Sequence, residues 1–139
     1  KAVVTTTTEP KPPTQSNLSN LIALAERGQA WAQNKLGIRY EKGDGVPQNI
    51  DEAVRWYYSA AQGGNRVGQF NLGRMYANGR INGKKNYAEA FVWYKKAAEQ
   101  GLADAQNNLG GLYEKGLGVG KDYGMLPLQL FGVLIHPQG

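Results

Sequence analysis

Gly43 and Gly45, separated by one residue, form a segment of this 139-residue chain that could cradle a phosphate. A phosphate loop follows a β-strand and opens a helix, so that backbone N–H groups and the helix dipole face the anion. Here the glycines follow an apolar helical stripe, and no strand pattern precedes them. We therefore predict turn glycines that end a helix, here and in the similar run Gly116–Gly120.

Few other residues have the types that catalysis needs. Cysteine is absent, and the single histidine is His136, near the end of the chain, so thiolate nucleophiles, sulfur-ligated metals and histidine triads are excluded. No Ser-x-x-Lys motif is present. The acidic residues between Glu41 and Glu52 lie close in sequence, but the last two begin a helix and have no matching set further along. We predict no catalytic residue, no metal and no cofactor.

The charge pattern argues against nucleic acid as a partner, and the lack of a long apolar run argues against membrane insertion. The net charge is +5, and the basic residues are spread from Lys1 to Lys121. The densest cluster, from Arg80 to Lys96, reads as a solvated rim, with an anionic partner as the alternative. No run reaches the ~20 apolar residues of a membrane helix.

The chain begins with a Thr/Pro-rich segment, KAVVTTTTEPKPPTQ, which is typical of a flexible spacer. Such a start fits an exported protein whose signal has been removed. We expect a periplasmic or secreted protein, with the cytoplasm as the alternative.

An internal repeat organises the rest of the sequence. Its period is 36 residues and then 37, and it repeats a Leu-Gly pair, a tyrosine, a glycine and a second apolar segment. The recurring positions of the first segment are Leu36-Gly37, Leu72-Gly73 and Leu109-Gly110; Tyr40, Tyr76 and Tyr113; and Gly43, Gly79 and Gly116. In the second segment Ala53, Trp56, Tyr57, Ala60, Ala61 and Gly64 match Ala90, Trp93, Tyr94, Ala97, Ala98 and Gly101.

Each unit has the spacing of two helices. Apolar residues recur every three or four positions in both segments, which is the pattern of helices with one buried face. Asn49 and Asn86 start the second helix with a capping box, and Gly64 and Gly101 suit its C-terminal cap. Because glycine inside a helix costs about 1 kcal/mol against alanine, its recurrence after Leu36 predicts close approach of another helix. The tryptophans and tyrosines of the repeat are predicted to be core.

The repeated motif resembles the Sel-one-like repeat, a relative of the tetratricopeptide repeat. It reads Ala-x-x-x-Leu-Gly-x-x-Tyr-x-x-Gly-x-Gly-Val, then Ala-x-x-Trp-Tyr-x-x-Ala-Ala-x-x-Gly, and it fits residues 32–64, 68–101 and 105–119. Unit two departs from it, since Gly68 replaces the usual alanine and the second loop glycine is missing. The resemblance implies an all-α, right-handed α/α solenoid of antiparallel helix pairs.

We divide the chain accordingly. Residues 1–16 form the leader and residues 17–123 the solenoid, which comprises a capping helix over 17–27, repeats over 29–64 and 65–101, and a partial repeat over 102–123. Trp31 is expected to pack on the capping helix. Residues 124–139 form an atypical apolar tail, which covers the last repeat or, alternatively, mediates self-association.

Stacked helix pairs leave a concave surface, and we predict that a partner binds there. In solenoids of this kind, residues opposite the packing stripe of the first helix face the groove. They vary between the units while the stripe does not, and Phe70 beside Arg74 is the strongest candidate anchor, with filling of a gap between helices as the alternative. The predicted groove residues are Asn34, Ile38, Glu41, Lys42, Phe70, Arg74, Asn78, Asn107, Glu114 and Lys115.

Family members assemble complexes, often in bacterial envelope or host-contact settings. The resemblance therefore implies a non-enzymatic adaptor that binds a protein segment or peptide. Some relatives are linked to β-lactam or cell-wall chemistry, which makes a hydrolase the first alternative. A glycan-binding module is the second.

Overall fold

The computed structural model describes residues 15–118, and these form six α-helices. Each helix packs against the one that follows it. This confirms, for the described part of the chain, the predicted all-α architecture of stacked helix pairs. In order the helices are α1 (Gln15–Glu26), α2 (Ala30–Lys42), α3 (Ile50–Gln62), α4 (Arg66–Ala77), α5 (Tyr87–Glu99) and α6 (Ala103–Lys115).

Three of the described helices, α3, α4 and α5, begin at asparagine side-chain caps. Asn49 accepts a hydrogen bond from the Glu52 N–H at 3.0 Å, and Asn86 accepts one from the Glu89 N–H at the same distance. These bonds confirm the asparagine half of each predicted capping box, and each satisfies one of the backbone donors that a helix N-terminus leaves unpaired. The glutamate half is not formed, because the N–H groups of Asn49 and Asn86 donate to the carbonyls of Tyr40 and Tyr76 instead. Asn65 caps α4 in the same way, through the Gly68 N–H at 2.7 Å, which the repeat pattern does not predict.

The helices end at glycines with left-handed backbone angles. Gly43 has φ 73°, and the next residue donates its N–H to the carbonyl of Arg39, which closes the helix end. Gly64 has φ 89°, and the following N–H bonds back to Ala60 in the same way. The prediction that these are turn glycines is confirmed. Gly79, Gly101, Gly116 and Gly118 share the conformation, whereas Gly120 lies outside the described residues.

Large rings form much of the core. Tyr57 is fully buried and Trp93 is 8% exposed, so both are core residues as predicted. Trp56 is only partly buried, at the edge of the cluster that contains Leu36, so for this ring the prediction of a core residue holds only in part. Trp31 packs against the same cluster, which includes residues of α1, as expected. Among the recurring tyrosines, Tyr113 is buried, while Tyr40 and Tyr76 are partly buried.

The glycines inside the first helices allow close packing. A Cβ atom on Gly37 would lie 2.7 Å from the Tyr57 ring, and one on Gly73 would lie 2.8 Å from the Tyr94 ring. Real Cβ atoms do not approach ring carbons so closely, and the ring therefore takes the space of the missing side chain. The predicted close approach of another helix is confirmed at these two positions. It is not found at Gly110, where a Cβ atom would meet no described atom within 4 Å.

A ladder of glutamines joins each helix pair to the previous one. Gln33 donates its side-chain amide to the Ala25 carbonyl at 3.0 Å, Gln69 to Ala61 at 3.3 Å, and Gln106 to Ala98 at 3.1 Å. Donors and acceptors both recur with the repeat period. Each bond joins the first helix of one pair to the helix that precedes it. It also satisfies a carbonyl near the C-terminus of that preceding helix.

Several predictions fall on residues that the structure does not describe. They concern most of the leader, the end of the partial repeat, His136 and the tail over 124–139. The helix predicted over 17–27 is α1, which begins at Gln15. Of the helices that are described, none is long and apolar enough to cross a membrane.

Candidate functional site

The predicted groove residues lie on α2, α4 and α6, the first helices of the repeats, except that Asn78 is the C-cap residue directly after α4. We call this surface the first-helix face. Its members differ strongly in exposure. Only Asn34, 6% exposed, is buried, whereas Ile38, Glu41, Phe70 and Arg74 are partly buried. The remaining five residues are exposed and available for contact: Lys42, Asn78, Asn107, Glu114 and Lys115.

An ion pair between two repeats occupies the centre of the first-helix face. The Arg74 guanidinium of α4 donates to both carboxylate oxygens of Glu41 in α2, at 2.8 and 2.9 Å. The two side chains are 29% and 23% exposed, so the pair is partly shielded from water. The hydrogen bond from Arg74 lowers the pKa of Glu41, against the effect of burial.

Tyr57 of α3 forms a hydrogen bond with the carboxylate of this ion pair. Its hydroxyl donates to Glu41 Oε1 at 2.5 Å. Burial, together with the neighbouring carboxylate, raises the pKa of Tyr57 well above its ordinary value, so the ring keeps its proton. The same tyrosine fills the space beside Gly37, and the packing that holds the repeat together therefore also positions the carboxylate.

Two asparagines extend the hydrogen bonds away from the ion pair. Arg74 donates to Asn71 Oδ1 at 3.1 Å, and Asn71 donates to Asn34 Oδ1 at 2.9 Å. We call the five residues Tyr57, Glu41, Arg74, Asn71 and Asn34 the polar network. It links three helices of two repeats, so Asn34 has a structural partner.

Phe70 lies between the second helix of its own repeat and the first helix of the next one. Its ring centroid is 5.7 Å from that of Tyr94, in a tilted arrangement, and it packs on the cluster that contains Leu109. This contact fits the gap-filling alternative. The role of Phe70 as a partner anchor stays a prediction.

The interface between α4 and α6, the first helices of the second and third repeats, is more open than the interface between α2 and α4. Residues Ala77 and Gly111 stand at the positions that Glu41 and Arg74 occupy one repeat earlier. A cleft of about 250 Å³ lies there, lined by both residues and by Tyr94, Asn107, Asn108 and Lys115, among others. Burial raises the pKa of Tyr94, and the neighbouring Asn108 amide partly offsets this effect.

The sequence identified some of these residues and missed others. It placed Glu41 and Arg74 on one face, but it did not pair them, and it did not single out Asn71 or Asn108. The sequence feature that could have identified them is a change of residue type at a repeated position, since Asn71 and Asn108 correspond to Lys35. In the part of the chain that the structure describes, no cluster of His, Asp or Glu could hold a metal. The exposed amides, ammonium groups and carboxylate suit a polar ligand such as a peptide.

Comparisons with known proteins place this arrangement among repeat proteins. The family model described as Sel1 repeat matches residues 32–65, 67–102 and 103–125. A Sel1 repeat protein from Oxalobacter formigenes has a similar crystal structure, with a TM-score of 0.69 and 47% identity, over 76% of this chain and 79% of that one.

Two further relatives are much longer than this chain. One is c5321, a protective antigen of uropathogenic Escherichia coli with an SLR fold, which is similar at a TM-score of 0.68 and 43% identity. The match covers 74% of this chain but 22% of that one. The other is a putative sel1-like repeat-containing protein of Acanthamoeba polyphaga mimivirus, 34% identical over 77 residues, which are 50% of this chain and 14% of the viral protein.

Proposed function

Because the chain belongs to the Sel1 repeat family, we propose that it is an interaction scaffold that binds an extended segment of another protein on its first-helix face. The family and the solenoid architecture are those that the sequence predicts, and the solved relatives share them. Solenoids of this class are typically non-enzymatic scaffolds. The protein-binding role and the face that carries it are our proposal.

One observation carries the proposal. Residues that pack the repeats recur in all three units, whereas at the exposed positions of the first-helix face the second unit departs from the first and third, as Asn78 departs from the two lysines. Lys42, Asn78 and Lys115 are equivalent positions, and all three are exposed. The packing of the repeats does not require the exposed residue at this position to differ between units. Recognition of a partner does, because each unit then contacts a different part of the partner.

The chemistry of the face suits an extended peptide. Exposed ammonium and amide groups donate to backbone carbonyls, and Glu114 accepts from backbone N–H groups. The polar network holds α2 and α4 in a fixed arrangement before any partner binds. Preorganisation of this kind reduces the entropy lost on binding.

The test is selection of binding peptides from a random display library on the purified full chain. We expect selected peptides to lose roughly tenfold or more in affinity with Asn78→Ala or Lys115→Ala, since each removes an exposed contact without touching the core. Lys84→Ala is the matched control, because this exposed lysine lies in the loop between α4 and α5. Its affinity should equal that of the unaltered protein.

The same preparation tests the two alternatives. Turnover of a β-lactam or a cell-wall substrate would favour a hydrolase. Binding of a muropeptide glycan in preference to every selected peptide would favour a glycan-binding module. Either result would contradict the scaffold proposal.

A further inference from the structure

We propose that the cleft beside Tyr94, between α4, α5 and α6, is a binding site for the side-chain carboxylate of a glutamate in the partner segment. This inference rests on the proposed function and names the chemistry that one part of the first-helix face recognises.

The first interface, between α2 and α4, contains a carboxylate that the second interface, between α4 and α6, lacks. There, the carboxylate of Glu41 accepts from the Tyr57 hydroxyl and from Arg74. One repeat later Tyr94 takes the place of Tyr57, but Ala77 takes the place of Glu41. The second interface therefore keeps the tyrosine and has no carboxylate of its own at the equivalent position.

The loss of two large side chains leaves room for a ligand. Gly111 replaces Arg74, and a Cβ atom on Gly111 would have no described neighbour within 4 Å. The cleft measures about 250 Å³. Since a water molecule occupies about 30 Å³ in the liquid, this volume accommodates a carboxylate and the methylenes that carry it.

The lining supplies hydrogen-bond donors. Tyr94 lines the cleft, and its hydroxyl is the donor equivalent to that of Tyr57, which donates to Glu41. The amide of Asn107 provides further N–H donors. Hydrogen bonds from such donors to an ionised carboxylate are stronger than those to a neutral amide.

Lys115 supplies the positive charge. It lines the cleft and is exposed, so its ammonium takes over the role that Arg74 plays at the first interface. No Asp or Glu is among the described residues that line the cleft, and Glu114, next to Lys115 on α6, is exposed. The charge of the lining thus favours an acidic side chain.

The experiment is an NMR titration of the full, isotope-labelled chain with two capped tripeptides, acetyl-Gly-Glu-Gly-amide and acetyl-Gly-Gln-Gly-amide. We expect the glutamate peptide to shift the side-chain amide signals of Asn107 and Asn108. The affinity of the glutamine peptide should be lower by roughly tenfold or more. Ala77→Glu should abolish the shifts, because it places a carboxylate of the chain itself in the cleft. Lys115→Gln should weaken binding of the glutamate peptide. Lys84→Gln removes the same charge elsewhere and is its control.

Tyr94→Phe is a second variant that removes only the hydroxyl, and its affinity for the glutamate peptide should fall while the helical signal stays unchanged. Equal shifts from the two tripeptides, or full binding by a folded Ala77→Glu variant, would overturn the inference. If library peptides bind the first-helix face while neither tripeptide shifts the cleft signals, this inference fails and the proposed function stands.

Discussion

Arg74 donates to both carboxylate oxygens of Glu41 although 33 residues separate them in the chain. The contact joins the first helices of two successive repeats, and Tyr57 holds the carboxylate in place from the second helix. A hydrogen-bonded ion pair that is partly buried contributes more than a solvated one, because its removal leaves a charged group without a partner.

We expect Glu41→Gln to lower the free energy of unfolding by about 1–3 kcal/mol at pH 7. The loss depends on pH. Because the pKa of Glu41 is lower in the folded protein than its ordinary value of 4.5, its contribution is complete above 4.5 and is lost as the pH falls through the folded-state pKa. Urea unfolding of both proteins between pH 7 and pH 3 should show the difference shrinking. A difference that stays constant over this range would contradict the assignment.

The close contact between α2 and α3 gives a prediction about glycine. We expect Gly37→Ala to destabilise the protein by about 1–3 kcal/mol, because its Cβ would lie 2.7 Å from the Tyr57 ring. Gly111→Ala is the matched control in α6, where a Cβ meets no described atom within 4 Å. It should stabilise the helix by about 0.5–1 kcal/mol. Equal thermal melting shifts for the two variants would argue against the packing role of Gly37.

Two equivalent tyrosines differ in their hydrogen bonds. Tyr57 donates to a carboxylate, whereas the polar neighbour of Tyr94 is the neutral amide of Asn108. We expect Tyr57→Phe to cost about 1.5–3 kcal/mol and Tyr94→Phe about 0.5–1.5 kcal/mol, since hydrogen bonds to charged groups contribute more. Denaturant unfolding of both variants measures the two costs. The reverse order would show that the carboxylate contact contributes little.

The tryptophans also differ, in burial. Trp93→Ala removes a core ring and should cost about 3–5 kcal/mol, a large share of the roughly 5–15 kcal/mol by which ordinary domains are stable. Trp56 is partly exposed, so Trp56→Ala should cost less. Circular dichroism at rising temperature would rank the two. Unchanged melting in both variants would contradict the predicted packing of the repeats.

The repeat made the architecture predictable, because the residues that pack recur. Gly37 and Gly73 each lie against a tyrosine that recurs at the same spacing, and the caps at Asn49 and Asn86 follow a local rule of helix starts. The glutamines of the ladder recur with the same period but were not among the predicted packing residues, because recurrence alone does not say which carbonyl accepts the bond.

The contacts of the candidate site were less predictable, because they join positions that do not recur. Glu41 pairs with a residue of the next repeat, and the equivalent positions one repeat later are Ala77 and Gly111. Such a pair becomes visible only once the distance between neighbouring first helices is known. Phe70 posed the same problem, since the cluster on which it packs contains Leu109 of the next repeat.

Photo-crosslinking tests the central claim most directly. A photoreactive side chain is placed at Asn78, exposed on the first-helix face, and in a second protein at Arg55, exposed on α3. Each protein is then irradiated with a peptide selected on the unaltered chain. We expect a crosslink from position 78 and none from position 55. Crosslinking from position 55 alone would contradict binding on the first-helix face.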